Sequence, residues 1–491
     1  MSTFRRSSRT GRPVEEWSFG DAAAPLPVAP QLAAILLAVL VAIGLLLGVP
    51  PRALAEAAGE DKIFNTTIAR KPDAGEKPAA TTNAPSAATA APARPADTDE
   101  DQTDTAAVAA DAAVVSGITV AGDKRRTRLA IELSHGVRAE VFTLAAPYRV
   151  VIDLPAVGFK LSDATKQAAK GLVSGFRYGL FSEHKGRIVL DVTGPLRIDG
   201  ARMVASARGR GVTLALEMVP VSVSDFGSGT GAGVAAAETR AGIYEDPAPP
   251  KTAASKPVVL IDPGHGGIDP GAVGSSNLME KAIALAVAQK LRRRLAATGR
   301  YDVRMTRTSD VFVSLDKRVA MSRTLGADLF ISLHADSIAS RTYAPVVRGA
   351  TVYTLSEKAS DEQARQMAEK ENASDLVAGL SGTGVDENDE VRSILIDLLK
   401  RETANFSADF SSMLVSHLGK SVSMSRDPRR SAAFKVLKQT HAPSVLIELG
   451  FMSNAADERL MRQSEWQGKI AQSIVAAVDA FFDKRLARAV P

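Results

Sequence analysis

The stretch Val258–Gly267, VVLIDPGHGG, decides the fold of this chain. Val258, Val259, Leu260 and Ile261 are all apolar and mostly β-branched, and they run into Asp262, Pro263 and Gly264. A short apolar run ended by Pro and Gly reads as a strand buried on both faces, as in a parallel sheet. In open α/β sheets, chemistry gathers just beyond the carboxyl ends of such strands. His265 falls at that place. Two later runs end the same way: Leu329–Leu333 delivers His334, and Val445–Ile447 delivers Glu448. Between them, Ile283, Val287, Leu291 and Leu295 recur at the spacing of one helical face. Gly299 ends that helix, and arginines crowd its last turns, as the helix dipole favours. Glu280 lies in its first turn, facing back toward the strand end.

Two His and one Glu are a common catalytic zinc set that leaves a fourth position for water. The metal lowers the pKa of that water toward ~7 and polarises a carbonyl. A further carboxylate is then needed to carry the proton. We take His265, Glu280 and His334 as ligands of Zn2+ and Glu448 as general base and acid. A single His at a strand end is more often structural. Two of the chain's six His in such places, with suitable Glu residues, carry the metal reading. There is no Cys, which excludes disulfides, thiolate zinc and Cys nucleophiles.

The segments VVLIDPGHGGIDPGA, Met279-Glu280, TRTSD followed by Arg318, FISLHAD and VLIELGFMSN together resemble the zinc-dependent N-acetylmuramoyl-L-alanine amidases of the amidase_3 family. The resemblance covers residues 257–482. It implies an α/β fold, a mainly parallel sheet flanked by helices. It implies hydrolysis of the amide between N-acetylmuramic acid and L-alanine in peptidoglycan, in septal wall splitting and daughter-cell separation. The family's metal ligands carry over onto His265, Glu280 and His334, and its catalytic Glu onto Glu448.

The rest of the chain is organised around that domain. At 491 residues it is too long for one core. A net charge of +5, from 60 basic and 55 acidic residues, is no nucleic-acid signature. Residues 1–55 read as an export signal. Arg5, Arg6, Arg9 and Arg12 precede the apolar run Leu32–Val49, and Ala53-Leu54-Ala55 is an A-x-A site. An uncleaved membrane anchor is the competing reading, since the run approaches the ~20 residues that span a bilayer. Either way the expected location of the catalytic domain is the periplasm. Residues 56–115, rich in Ala, Pro, Thr and Asp, read as a disordered linker, and residues 222–256 as a second linker.

Between the linkers, residues 116–221 alternate with period two in RLAIELS, RVVIDLP, RIVLDVTG and GVTLALEM. That predicts a small all-β domain, with PYRVVIDLP and GRIVLDVTG as a loose internal repeat. It resembles the AMIN domain that accompanies these amidases, which implies peptidoglycan binding and recruitment to the division site.

The catalytic domain is expected over 257–486, with an insert at 356–401. SDEQARQMAEKENASDLVAGL predicts one helix, capped by Ser360 or Asp361 and ended by Gly379. Some members of the family hold such a helix across the active site, with a Glu in the zinc's open position. There, LytM-domain partner proteins relieve the block. Glu371 is the best match for that autoinhibitory Glu, with Glu369 the alternative. We expect Arg307 to brace its turn by pairing with Asp310. Asp336 is expected either to orient a ligand His or to cap the next segment. The last helix, residues 466–486, should pack on the sheet through Ile470, Ile474, Val478 and Phe481. The expected state is a monomer.

Overall fold

A computed structural model of the chain describes residues 112–161, 169–206, 211–226, 255–338, 344–380, 394–439 and 441–489. The expected leader 1–55, most of both linkers and residues 381–393 of the insert lie outside the described residues. The described residues all belong to one contact unit, Ile63–Pro491.

The period-two stretch forms nine strands: β1 (Ala113–Gly122), β2 (Thr127–Leu133), β3 (Glu140–Leu144), β4 (Arg149–Pro155), β5 (Val157–Phe159), β6 (Val173–Ser182), β7 (Lys185–Val192), β8 (Leu196–Ala205) and β9 (Val212–Pro220). They build two sheets, ordered β5-β1-β2-β9-β8 and β3-β4-β7-β6. Only β1 with β5 pairs in parallel. Strand alternation sorts the side chains. Val150, Ile152 and Leu154 of β4 and Ile188 and Leu190 of β7 share a core with Leu129, Ile131, Leu214 and Leu216 of the other sheet. The intervening positions on β4, Arg149, Val151 and Asp153, are buried as well. Their cover is the catalytic domain, since Val151 and Val189 pack with Ile268, Phe312, Ala378 and Leu380. The internal repeat becomes the antiparallel pair β4–β7, with Arg149 opposite Asp191 and Asp153 opposite Arg187.

The catalytic domain continues with β10 (Val258–Pro263), α1 (Glu280–Ala297), β11 (Asp302–Met305), α2 (Leu315–Thr324), β12 (Leu329–His334), β13 (Ala350–Leu355), α3 (Glu362–Asn372), α4 (Ser374–Val377), α5 (Ile394–Leu418), β14 (Met424–Ala432), β15 (Ser444–Glu448), α6 (Ala455–Met461) and α7 (Ser464–Ala489). Its sheet runs β11-β10-β12-β15-β13-β14. Helices α1, α5 and α7 cover one face through Val287, Leu291, Phe410, Leu414, Ile474 and Val478. Helices α2 and α3 cover the other, against Leu260, Phe330, Tyr353 and Leu446.

The sheet is mainly parallel, as expected, with β13 antiparallel to β15 as the exception. The chain leaves β12 and enters β13 at the same end of the sheet, with no crossover helix among the described residues between them. The edge strand β14, MSRDPRRSA, was not foreseen. It has no apolar run and contains Pro428, which is tolerated only at edges and bulges. One expectation needs correction, that of a single insert helix. Asp361 caps it by accepting from the Ala364 N–H, but the helix breaks at Ala373. Asn372 donates to the Ala433 carbonyl and accepts from the Lys435 N–H, so tertiary bonds end α3 there. Gly379 (φ +73°) closes the segment in the left-handed region that favours glycine.

Candidate metal centre and active site

The strand β10 ends in a turn of unusual backbone. His265, Gly266 and Gly267 all have positive φ, at 56°, 126° and 56°. A non-Gly residue there stores strain that its surroundings must hold. Two buried arginines supply the hold. Arg318 donates to the carbonyls of Pro263 (2.8 Å) and His265 (2.7 Å). Arg307 donates to Pro263 (3.0 Å) and Gly264 (2.8 Å). Arg307 thus braces the turn, but through carbonyls and not through Asp310. Asp310 instead accepts from the Gly267 N–H and from Lys281, both at 2.7 Å. Arg318 is anchored by Asp262 at 2.5 Å, and Asp262 also accepts from Thr306 (2.6 Å) and Ser332 (2.8 Å). Burial works against the Asp262 charge, yet Arg318 and the two hydroxyls hold its carboxyl below the usual range.

His265 places Nδ1 2.8 Å from Asp269 Oδ2. Donation from Nδ1 leaves Nε2 bare, and Nε2 is buried without a hydrogen-bond partner. It faces Glu280 Oε1 at 3.1 Å and Glu371 Oε2 at 3.3 Å. His334 turns Nδ1 to the same two oxygens, at 3.0 and 3.1 Å. Glu280, the first residue of α1, is fixed by the N–H groups of Ala272 (2.8 Å) and Ala335 (2.9 Å). Gly264 and Gly271 leave the room needed. A Cβ on the first would sit 2.4 Å from the His334 ring, and one on the second 2.6 Å from Glu280 Oε2.

The ligand atoms of His265, Glu280, His334 and Glu371 all lie within 4.8 Å of one another. Donors at zinc distances on a tetrahedron stand about 3.3 Å apart, close to the separations found here. The electrostatics agree. Burial opposes charge on both imidazoles, but Asp269, Glu280 and Glu371 raise His265 well above its ordinary value. Burial likewise opposes charge on His334, which Glu371 and Glu280 push up to about 10. Burial works against the Glu371 charge, yet the two imidazoles pull it down to about 2. A pocket that draws protons onto two imidazoles has surplus negative charge, which suits a divalent cation.

Glu448 stands beside this group, as the register partner of His334 on the adjacent parallel strand. Its Oε2 accepts from the Asp336 N–H at 2.9 Å, while Oε1 is buried without a partner. Burial, then the charges of Glu280 and Glu371, raise its pKa well above the usual carboxylate range. Asp336 itself accepts from the Ser337 N–H and from Lys370 through Oδ1.

Glu371 reaches the site from α3, whose stripe Ala364, Met367, Ala368 and Glu371 is buried. Three turns of helix deliver it, and Ser374 follows with a bond from Oγ to Asp269 Oδ2 at 2.6 Å. Glu369, the alternative, is on the exposed side and pairs with Arg365. Behind Glu371 only about 10 Å³ remains, beside His265, His334 and Arg318. In front lies a cleft of about 240 Å³ whose walls are Phe176, Arg177 and Asp191 of the β domain and His265, Asp269 and Lys370 of the catalytic domain. Asp269 and Ser374 were missed from sequence. The one available signal was an Asp four residues after the His in HGGID.

Residues 259–480 match the family model for N-acetylmuramoyl-L-alanine amidase, Amidase_3. Residues 117–214 match the AMIN domain model. The N-acetylmuramoyl-L-alanine amidase AmiC of Escherichia coli O6:H1 is 31% identical over 370 residues, 72% of this chain and 86% of that protein. AmiA of Salmonella typhimurium, another N-acetylmuramoyl-L-alanine amidase, is 37% identical over 233 residues, 47% of this chain and 78% of that protein.

Proposed function

The chain belongs to the N-acetylmuramoyl-L-alanine amidase family, and from that premise we propose that it hydrolyses the amide between N-acetylmuramic acid and L-alanine in peptidoglycan. The observation that carries the reading is the convergence of Glu280, at the start of α1, with His265, His334 and Glu448, which follow or end the strands β10, β12 and β15. His265 Nε2, His334 Nδ1 and Glu280 Oε1 would hold Zn2+. When bound, the ion polarises the scissile carbonyl and acidifies water. Glu448 takes the proton of the attacking water on its free Oε1 and returns it to the leaving amine of L-alanine. Its buried setting favours holding that proton between the two transfers. Asp269 keeps the His265 tautomer that presents Nε2.

The closed state supports autoinhibition. Glu371 fills the fourth corner of the donor set, so residues 362–380 act as a lid over the site. We take a LytM-domain partner as the protein that lifts it. Export to the periplasm, recruitment to the division site by the AMIN domain and action in septal splitting complete the proposal, with the protein acting as a monomer.

The test is muropeptide release from purified sacculi. The expected products are intact stem peptides with a free L-alanine amine, and a chelator stops their release. Cleavage between stem amino acids, or release that ignores the chelator, would overturn the reading.

A further inference from the structure

The outward face of the sheet β3-β4-β7-β6 carries three guanidinium groups that serve neither the sandwich core nor the metal centre. Arg149 Nη1 donates to the carbonyls of Leu376 (2.6 Å) and Leu380 (3.5 Å). Arg177 Nε donates to Val377 at 2.5 Å. Arg187 Nη1 donates to Ala378 (3.0 Å) and Gly379 (3.4 Å). Five consecutive carbonyls, from 376 to 380, are thus gathered by the β domain. They include that of Val377, the last residue of the short helix α4.

The guanidiniums are held in place before they meet the turn. Asp153 grips Arg187 with two bonds, at 2.6 and 2.8 Å, and the Phe181 ring lies 3.6 Å beneath it. Asp191 holds Arg177 at 2.5 Å. Around them Ala378 and Leu380 pack against Phe142, Leu144, Val151 and Val189. The lid's hold on its own domain is mostly polar, through Asn372, Ser374 and Lys370, and α3 buries two alanines and one methionine besides Glu371.

We infer that Arg149, Arg177 and Arg187 form a latch, by which the β domain docks the turn 376–380 and keeps the lid shut. This rests on residues 362–380 being an autoinhibitory lid. The β domain is then a regulatory partner of the catalytic domain as well as a wall-binding module. Moving it off the turn breaks the bonds between the three guanidiniums and the five carbonyls, and frees Glu371 and Ser374 to leave the site together.

Hydrogen exchange of residues 362–380 in the full chain tests the latch, alongside hydrolysis of sacculi. Two variants loosen it from opposite sides. One combines Arg149→Met with Arg177→Gln. The other, Gly379→Leu, leaves every β-domain side chain in place, but its Cβ would meet Val189 at 3.0 Å and Val151 at 3.1 Å. Both should speed exchange at 374–380 by about tenfold or more, the change expected on losing one hydrogen bond to a charged donor. Hydrolysis should rise with it. Glu371→Ala, the control for the lid itself, should raise hydrolysis while the turn stays protected. Unchanged protection in both loosened variants overturns the latch. Faster exchange without faster hydrolysis, while Glu371→Ala is active, also overturns it and leaves the lid standing. If Glu371→Ala and both loosened variants are all silent, the lid falls and the latch with it.

Discussion

Ser374 Oγ donates to the same Asp269 oxygen that accepts from His265 Nδ1, at 2.6 and 2.8 Å. The segment of α3 and α4 therefore meets the metal-ligand group twice. Glu371 occupies the donor set, and Ser374 ties itself to the carboxylate that orients a ligand. Ser374→Ala removes a hydrogen bond to a charged acceptor, worth about 1.5–3 kcal/mol. Basal release of muropeptides should rise roughly tenfold, while the domain still unfolds cooperatively. An unaltered basal rate in a normally folded variant would count against this second grip.

Asp269 should matter for metal retention more than for folding. Loss of an outer partner to a ligand His typically costs ~10–100-fold in metal affinity. Asp269→Ala should weaken zinc binding by that factor in competition with a chromophoric chelator. Equal affinity in variant and parent would show that His265 keeps its tautomer without help.

Glu448→Gln keeps the bond from the Asp336 N–H and removes the proton acceptor. Metal content should stay at the parent level while turnover falls by ~10²–10⁴-fold, the usual weight of a general base. The combination of retained zinc and lost rate is what separates a base from a ligand. Retained rate would remove Glu448 from the mechanism.

The buried pair Asp262–Arg318 predicts an acid limit for the turn that carries His265. The Asp262 carboxyl is held below its unfolded value, so its stabilisation is complete above about pH 4. That stabilisation is lost as pH falls through the lower, folded value. Thermal melts from neutral to strongly acid pH should show the catalytic domain weakening in that window. Asp262→Asn should flatten this part of the slope. It should also cost ~3–5 kcal/mol at neutral pH by leaving Arg318 buried without its partner. Parallel slopes in parent and variant would place the acid limit elsewhere.

Much of the site could be read because it hangs on apolar strands. Val258–Ile261, Leu329–Leu333 and Val445–Ile447 are unmistakable runs, and each hands its last residue to one edge of the sheet. Glu371 was reached through the family resemblance, and its place on the buried helical stripe of Ala364, Met367 and Ala368 is what the structure adds. The direction of β13 was not legible, because an apolar run has no polarity of its own. Strand β14 was hidden by its edge position, where arginines face solvent and no second sheet neighbour demands apolar side chains. Asp269 depended on three consecutive positive φ values that fold the loop back on His265. Arg149 and Arg187 lie on the face of β4 and β7 that an isolated sandwich would leave wet. Only the docking of a second domain turns that side inward.

The place of β15 has a consequence for how the base and the lid are joined. The chain emits His265, Glu280 and His334 first, then Glu371, and Glu448 last. Strand β15 is inserted between β12 and β13 and pairs with both. The strand that brings the base is thus the one that ties in β13, the stem from which the lid grows, with Thr351 opposite Glu448. Placing β15 sets Glu448 beside His334 and, by the same strand, ties in β13, which leads toward the helix that carries Glu371.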